Sequence, residues 1–198
     1  MFAKAPAPGF AKTRLIPELG VRGAARLARH MFDFTLAETR NAMIGTTEVC
    51  VTPGRHTDHW RDIAIPTDVA TTDQGDGDLG ERMARAAARA FTRHEAVLLI
   101  GTDCPALTRE CLRAAARVLQ HHDAVMHPAA DGGYALLGLK RFDAGIFEGI
   151  AWSTSAVAGS TQARIRNLGW SLHCAQTLHD IDEPGDLIHL PMDWQAHS

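Results

Sequence analysis

The chain has 198 residues with 45% apolar side chains, enough for one domain with a full core. Its formal net charge of −3 gives no basic field for nucleic acid, and no run of about eighteen apolar residues offers a membrane span. Pro6, Pro8 and Gly9 interrupt any basic-then-apolar leader, and Cys50, Cys104, Cys111 and Cys174 form no CxxC pair, so reduced thiols in a cytoplasmic protein are expected.

The opening segment, Lys4-Ala-Pro-Ala-Pro-Gly-Phe-Ala-Lys12-Thr-Arg14-Leu15, holds two of only three lysines, against seventeen arginines in the chain. Lysine is a compact, mobile point charge and arginine a planar fork. A loop of Pro8, Gly9, Lys12, Thr13 and Arg14 therefore reads as a phosphate holder. It is not a P-loop, which needs Gly directly before Lys and another five residues earlier. Here Lys12 follows Ala11, Gly9 stands alone, and G-x-G-x-x-G is absent. Only Met1, Phe2 and Ala3 precede Lys4, whereas a strand usually has about five or six residues. The expectation is a truncated first strand.

Residues 21–43 read as a long helix, with Ala25, Leu27, Ala28, Met31, Phe32, Phe34 and Leu36 at helical spacing. Glu48–Thr52 reads as a strand and residues 68–72 as another. Gln74-Gly-Asp-Gly-Asp-Leu-Gly80 brings three glycines to a helix N-terminus. That is either an anion site or a flexible loop before a well-capped helix. Asp78 and Glu81 have the spacing of a capping box for a helix to about residue 94. Residues 96–101 are apolar throughout, as expected of a strand buried on both faces. Thr108 caps a helix to about residue 120. Residues 123–127 and Tyr134–Leu139 are strands, and residues 155–167 a helix stopped by Gly169. Residues 170–177 are the last strand. Asp182 caps a final short helix that tolerates Pro184 in its first turn and ends at Pro191. Strands alternating with helices imply an α/β fold with a mostly parallel sheet covered by helices, in one domain over residues 1–198.

In open α/β sheets ligands bind beyond the carboxyl ends of the strands. Asp103, in Leu99-Ile-Gly-Thr-Asp103-Cys-Pro105, is delivered there by an apolar strand. A hard oxygen ligand in that place suits Mg²⁺ or Mn²⁺. The plainer role, a helix cap, is already filled by Thr108. Asp180 and Asp182 alternate along one strand end, so one would face the cleft and the other cap a helix or meet solvent. Asp131-Gly132-Gly133-Tyr134 is either a hairpin turn or a place where backbone approaches a substrate closely. Cys104 has no evident partner base.

Taken in order, K-x-P-x-x-G-x-x-K-T-R-L, G-D-L-G-E-R-M, L-L-I-G-T-D-C-P, D-G-G-Y-x-L-x-G-L, W-S-T-S-x-V and D-I-D-x-P-x-D-L resemble one bacterial family. Its members are labelled glycosyltransferase-like, or radical-SAM/selenodomain-associated transferase 1, within the nucleotide-diphospho-sugar transferase (GT-A) superfamily. That family is in turn similar to 2-phospho-L-lactate guanylyltransferase and molybdenum cofactor guanylyltransferase. The resemblance runs from Ala3 to Leu187. It implies a three-layer α/β/α, Rossmann-like fold with the nucleotide over the first half of the sheet. It also implies that the loop from Pro8 to Arg14, through Gly9, Lys12 and Thr13, wraps the nucleotide, joined by Gln74 and Gly80. Asp103 and Asp182 would hold Mg²⁺ or Mn²⁺. Asp131, Gly132, Gly133, Tyr134, Trp152 and Ser153 would line the side of a small-molecule acceptor.

The resulting expectation is a metal-dependent transferase using a nucleoside triphosphate or a nucleotide sugar, with Lys12 and Asp103 catalytic. In nucleotidyl transfer an acceptor attacks the α-phosphate and pyrophosphate leaves. In glycosyl transfer an acceptor hydroxyl attacks the sugar carbon and a nucleoside diphosphate leaves. The chain has no D-x-D, since Gly101 precedes Asp103 by two, and this favours nucleotidyl transfer. A nucleotide-binding module without catalysis is the rival reading. A P-loop hydrolase or kinase is set aside for want of a glycine before Lys12.

Overall fold

The computed structural model describes residues 1–195. Three strands, β1 (Phe2–Lys4), β2 (Glu48–Thr52) and β3 (Ala70–Asp73), pair in parallel in that order. Four more are β4 (Val97–Ile100), β5 (Ala124–Pro128), β6 (Tyr134–Leu139) and β7 (Leu172–Cys174), which lie in the order β4-β6-β5-β7. β5 and β7 are parallel, while β6 runs antiparallel to both β4 and β5. The sheet is thus mainly parallel with one reversed strand, as a hairpin through residues 129–133 requires. The two sets of strands are not hydrogen-bonded to each other, and a cleft of about 1250 Å³ opens beside Met1, Phe2 and the length of β4 from Val97 to Ile100. β7 is shorter than residues 170–177 suggest, because only Leu172–Cys174 keeps register with β5.

The helices are α1 (Ile16–Ala42), α2 (Leu79–Phe91), α3 (Arg109–Val118), α4 (Val157–Asn167) and the short α5 (Met192–Gln195). α1 breaks at Gly20 (φ 69°, ψ 165°), so its regular part begins where the apolar spacing predicts. Alternate strand residues serve opposite faces of the sheet. Val49, Val51, Ile100, Val125 and Leu136 meet Phe32 and Leu36 of α1 and Leu112 and Ala115 of α3. Leu99, Ala124, Met126, Leu137 and Leu139 meet Met83 and Ala87 of α2 and Ala158 and Ile165 of α4. Two apolar faces with helices on each give the three-layer α/β/α arrangement. A third cluster joins Leu15, Leu27 and Met31 to Ile181, Leu190 and Trp194. It holds the end of the first loop against the C-terminal segment.

Local capping follows the sequence closely, with one exception. The Asp78 carboxylate accepts from the Glu81 N–H (2.9 Å), and the Glu81 carboxylate from the Asp78 N–H (2.8 Å), completing the capping box. The Thr108 side chain accepts from the Cys111 N–H at the start of α3. The exception is Asp182. The final turn, Pro184–His189, is a 3₁₀ helix whose N-cap is Glu183. The Asp186 carboxylate accepts from the backbone N–H groups of Asp182 (2.9 Å) and Glu183 (2.7 Å). The chain end is closed from within the turn, and the Asp182 side chain is released from capping.

Glu38 of α1 is a buried charge with full compensation. Its carboxylate accepts from the Arg109 backbone N–H (2.6 Å) and from Nε and Nη2 of the Arg109 guanidinium. It therefore caps α3 and pairs with its first residue at once. The hydrogen bond from the Arg109 side chain, outweighing burial, holds the Glu38 carboxyl below its usual value of 4.5. Arg109 is half exposed, so removing Glu38 leaves a cation that water can serve. The cost is then that of the lost charge-assisted bonds, about 2 kcal/mol, and not that of a stranded buried ion. Glu38→Ala should lower the unfolding free energy in urea by that amount at pH 7. A depressed carboxyl contributes stability above its unfolded value and loses it as pH falls through the folded one. The difference between wild type and Glu38→Ala should therefore shrink below about pH 4.5. A difference constant down to pH 3 would contradict the assignment.

Candidate active site at the carboxyl ends of the strands

The polar residues singled out in the sequence gather where β1 and β4 end and where the chain returns after β7. The Ala5 N–H bonds to the Thr52 carbonyl (2.9 Å), extending the pairing of β1 by one residue before the loop departs. The Ala7 carbonyl then accepts from Phe10 (3.0 Å) and Ala11 (3.3 Å). The turn needs left-handed backbone at Gly9 (φ 73°) and again at Lys12 (φ 50°, ψ 42°). Glycine takes this conformation freely, whereas for lysine it costs on the order of 1 kcal/mol. The reason for tolerating it lies at the tip of the side chain. Lys12 Nζ lies 2.6 Å from Asp182 Oδ1 and 3.6 Å from Asp103 Oδ2, and its side chain is only 11% exposed. Burial pulls the lysine downward, but the Asp103 and Asp182 charges outweigh it and raise the ammonium above its usual value.

Each carboxylate is placed by its own backbone. The Asp103 carbonyl accepts from the Ile181 N–H (2.9 Å), tying the end of β4 to the returning segment. A Cβ at Gly101 would come within 2.7 Å of Asp103 Oδ1, so a side chain there would displace the Asp103 carboxylate from its present position. Arg14 is well exposed and reaches Glu183 Oε1 at 3.5 Å and Asp182 Oδ2 at 3.9 Å. Thr13, Pro8 and Gly9 lie exposed on the same loop. Lys4 is not part of that grip, because it sits on β1 with Nζ 4.6 Å from the centroid of the Phe10 ring.

The hairpin between β5 and β6 forms the opposite wall. The Asp131 carboxylate accepts from the Gly133 N–H (2.7 Å), closing its own turn. Gly132 (φ 91°) has no room for a side chain, since a Cβ would lie 2.3 Å from the Ser155 backbone. Its carbonyl accepts from the Ala158 N–H (2.8 Å). Ser153 nearby is a second non-glycine in left-handed backbone (φ 63°) and is exposed. Asp180 also belongs to this group. Burial, then the Asp131 carboxylate, then Asp103 and Asp182, push its carboxyl up to about 6. Strand alternation would send Asp180 and Asp182 to opposite sides. Beyond the single bridge at Leu178 the described residues form no strand there, so Asp180 lies within electrostatic reach of both Asp103 and Asp182 while Asp182 pairs with Lys12.

Four expected contacts are redirected. The buried Gln74 amide donates to the carbonyls of Cys50 (2.9 Å) and Ala3 (3.3 Å), so it binds the ends of β1 and β2 and is not free for a nucleotide. Gly80 accommodates protein: a Cβ there would lie 2.5 Å from the Phe147 carbonyl oxygen and 2.6 Å from the Trp152 ring. Trp152 therefore covers the start of α2, with its Nε1 buried and unpartnered, and is turned from the acceptor side. Tyr134 sends its hydroxyl into the packing between α2 and α4, toward Met83 Sδ and Thr161, and burial pushes the phenol upward. All four are tertiary outcomes, Gln74 through the strand ends it bridges and the other three through helix packing. Strand alternation would give only one of Asp180 and Asp182 to the cleft, whereas Asp180 is in electrostatic reach of Asp103, Asp131 and Asp182.

The donors suit a hard cation. Among the described residues no three or more His, Cys, Asp or Glu side chains are grouped to hold a metal. Asp103 and Asp182 already share one cation, the Lys12 ammonium, so the pair can face a common positive centre. One or two carboxylates completed by substrate phosphates is the usual Mg²⁺ arrangement.

Cys104 adjoins Asp103 but is buried, and burial pushes its thiol up to about 12, so it is no nucleophile. A thiol reagent at pH 8 should modify exposed Cys174 first and leave Cys104 unmodified until the protein unfolds, as read by peptide mass. Gly80→Ala should force Trp152 from its seat, at about 1–3 kcal/mol of stability and with a change in tryptophan emission. An unchanged spectrum and melting curve would contradict that packing.

Residues 35–154 match the family described as "Uncharacterized protein conserved in bacteria (DUF2064)". The chain is similar to a protein of Desulfovibrio desulfuricans G20 provisionally described as a nucleotide-diphospho-sugar transferase, at 33% identity and a TM-score of 0.88, covering 94% of this chain and 82% of that one. It shares its fold with the 4-diphosphocytidyl-2C-methyl-D-erythritol synthase of Anaerococcus prevotii DSM 20548 (11% identity, TM-score 0.63, 98% and 96% covered). The same holds for the 2-C-methyl-D-erythritol 4-phosphate cytidylyltransferase of Thermus thermophilus (17% identity, TM-score 0.54, 95% of each chain covered). No curated protein matches the sequence. With more than half of its length matched and one solved relative at 33% identity, the chain belongs to the DUF2064 family and carries the nucleotide-diphospho-sugar transferase fold.

Proposed function

We propose that the chain is a metal-dependent, nucleotide-utilising transferase, and that it transfers a nucleotidyl group from a nucleoside triphosphate to a small-molecule acceptor. One observation carries the reading: a largely buried lysine from the first loop meets two carboxylates from the ends of distant segments. Asp103 and Asp182 would hold Mg²⁺ or Mn²⁺, which supplies neutralisation of phosphate charge. Lys12 and Arg14 bind the phosphates from the other side, and Lys12 compensates the charge gathering on the departing pyrophosphate. The exposed Pro8–Gly9 turn and Thr13 line the nucleotide approach. The acceptor enters along Asp131, Gly132, Gly133 and Ser153, where its nucleophilic oxygen attacks the α-phosphorus as the bond to pyrophosphate breaks. Asp180 faces that approach. With four free cysteines, this is work for the cytoplasm by a single domain.

Glycosyl transfer from a nucleotide sugar is the second reading. It is favoured by the provisional description of the Desulfovibrio relative. The leaving group separates the two, since nucleotidyl transfer releases pyrophosphate and glycosyl transfer a nucleoside diphosphate. Thermal stabilisation should appear with one nucleoside triphosphate in the presence of Mg²⁺ or Mn²⁺. It should vanish with chelator and in Asp103→Ala and Asp182→Ala. Each variant should lose roughly a hundredfold or more in turnover, the scale of removing one electrostatic stabiliser. Stabilisation that survives both chelation and Asp103→Ala would overturn the metal role. Stabilisation by nucleotide sugars alone would move the assignment to glycosyl transfer. Binding without turnover of any donor would favour a nucleotide-binding module.

A further inference from the structure

We propose that Lys12 is the resident cation of the ligand-free site, so that the divalent metal enters as its complex with nucleotide phosphates and not by itself. This rests on reading Asp103 and Asp182 as the metal's carboxylates. The Lys12 ammonium lies 2.6 Å from one and 3.6 Å from the other, which places it in the space between them. A cation held by both carboxylates needs that same space. Two cations in it would repel, and the lysine, only 11% exposed, cannot shed its charge to water in place, whereas the carboxylates, 40% and 43% exposed, are open to an incoming cation.

The position is built, not incidental. Lys12 takes left-handed backbone (φ 50°) just before the Thr13–Leu15 turn, and its carbonyl accepts from the Leu15 N–H (3.0 Å). Leu15 is fully buried against the cluster that contains Ile181, one residue from Asp182. The backbone on both sides of the contact is therefore anchored, and only the side chain is left to move. Arg14 cannot substitute, because it reaches Asp182 at 3.9 Å from an exposed position.

Metal entry must move Lys12, and an ammonium leaving two carboxylates from a largely buried site needs another anion to receive it. A bare dication brings none. A metal–triphosphate complex brings a cation for the carboxylates and an anion for the lysine in one step. Metal and nucleotide affinities are then coupled, each raising the other.

The test measures Mn²⁺ alone, by the loss of the free aqueous Mn²⁺ electron-spin-resonance signal, on wild type, Lys12→Met, Lys12→Gln and Lys12→Arg. Both neutral variants should bind Mn²⁺ at least tenfold more tightly than wild type. Lys12→Arg, which keeps the charge, should stay near wild type, and adding Asp182→Asn to Lys12→Met should abolish the gain. Melting curves identify any variant that does not fold, and either neutral variant is sufficient. Wild type binding Mn²⁺ as tightly as the neutral variants overturns the inference, as does failure of both folded neutral variants to bind. Neither result touches the metal reading itself, which is decided separately by whether nucleotide stabilisation of wild type requires Mg²⁺ or Mn²⁺.

Discussion

The contact between Lys12 and Asp182 joins residues 170 positions apart and brings the first loop, the end of β4 and the returning C-terminal segment to one place. A largely buried ammonium must be paired to remain charged, and two carboxylates accomplish this. The same pairing gives a reason for the unfavourable backbone at Lys12. Left-handed geometry in a non-glycine residue persists where the surroundings determine it, as the apolar cluster of Leu15, Ile181 and Trp194 does here. Packing sets the backbone, backbone aims the lysine, and the lysine gathers the carboxylates.

The sheet makes this possible by ending its strands at one edge. β1 and β4 deliver the Lys12 loop and Asp103 from their carboxyl ends, as expected of ligand sites in α/β folds. Reversal of β6 adds something a purely parallel sheet would lack. The hairpin between β5 and β6 brings Asp131 to the same edge, within electrostatic reach of Asp180. Gly132 lets that hairpin lie against the backbone of Ser155, and the Ala158 N–H bonds to it. The two walls of the site are thus fixed by backbone contacts, and the charged tips are left between them.

Features set by a few neighbouring residues were legible in the sequence. The capping box at Asp78 and Glu81, the Thr108 cap and the exit of Asp103 from an apolar strand depend on residues within three or four positions. Features set by packing were not. Nothing local tells Gln74 that the carbonyls of Ala3 and Cys50 lie beside it, or Gly80 that Trp152 will press on it. Tyr134 begins a strand, and alternation cannot say which face will be core. Asp182 shows the clearest conflict. As an aspartate before a short helix it has the signature of a cap, yet Glu183 takes that position and Asp186 closes the turn. The residue was freed by a neighbour with equal local claim, and only the distant lysine explains its use.

The charge balance of the site gives the proposed reading its direction. Asp103, Asp180, Asp182 and Glu183 gather around Lys12 and Arg14, with Asp131 within reach of Asp180, so carboxylates outnumber cations. Burial first, and the neighbouring carboxylates after it, push the Asp180 carboxyl up to about 6, which reports that crowding. Carboxylates crowded in this way repel one another, and folding tolerates the crowding because the third cluster and the Ile181–Asp103 backbone bond hold the segments regardless. A site with surplus negative charge, a lysine that can change partners and walls fixed by backbone is incomplete without further positive charge. A phosphate chain alone would worsen the imbalance, whereas a phosphate chain that carries its own dication relieves it. On the proposed reading, a metal–nucleotide complex balances these charges better than either component alone.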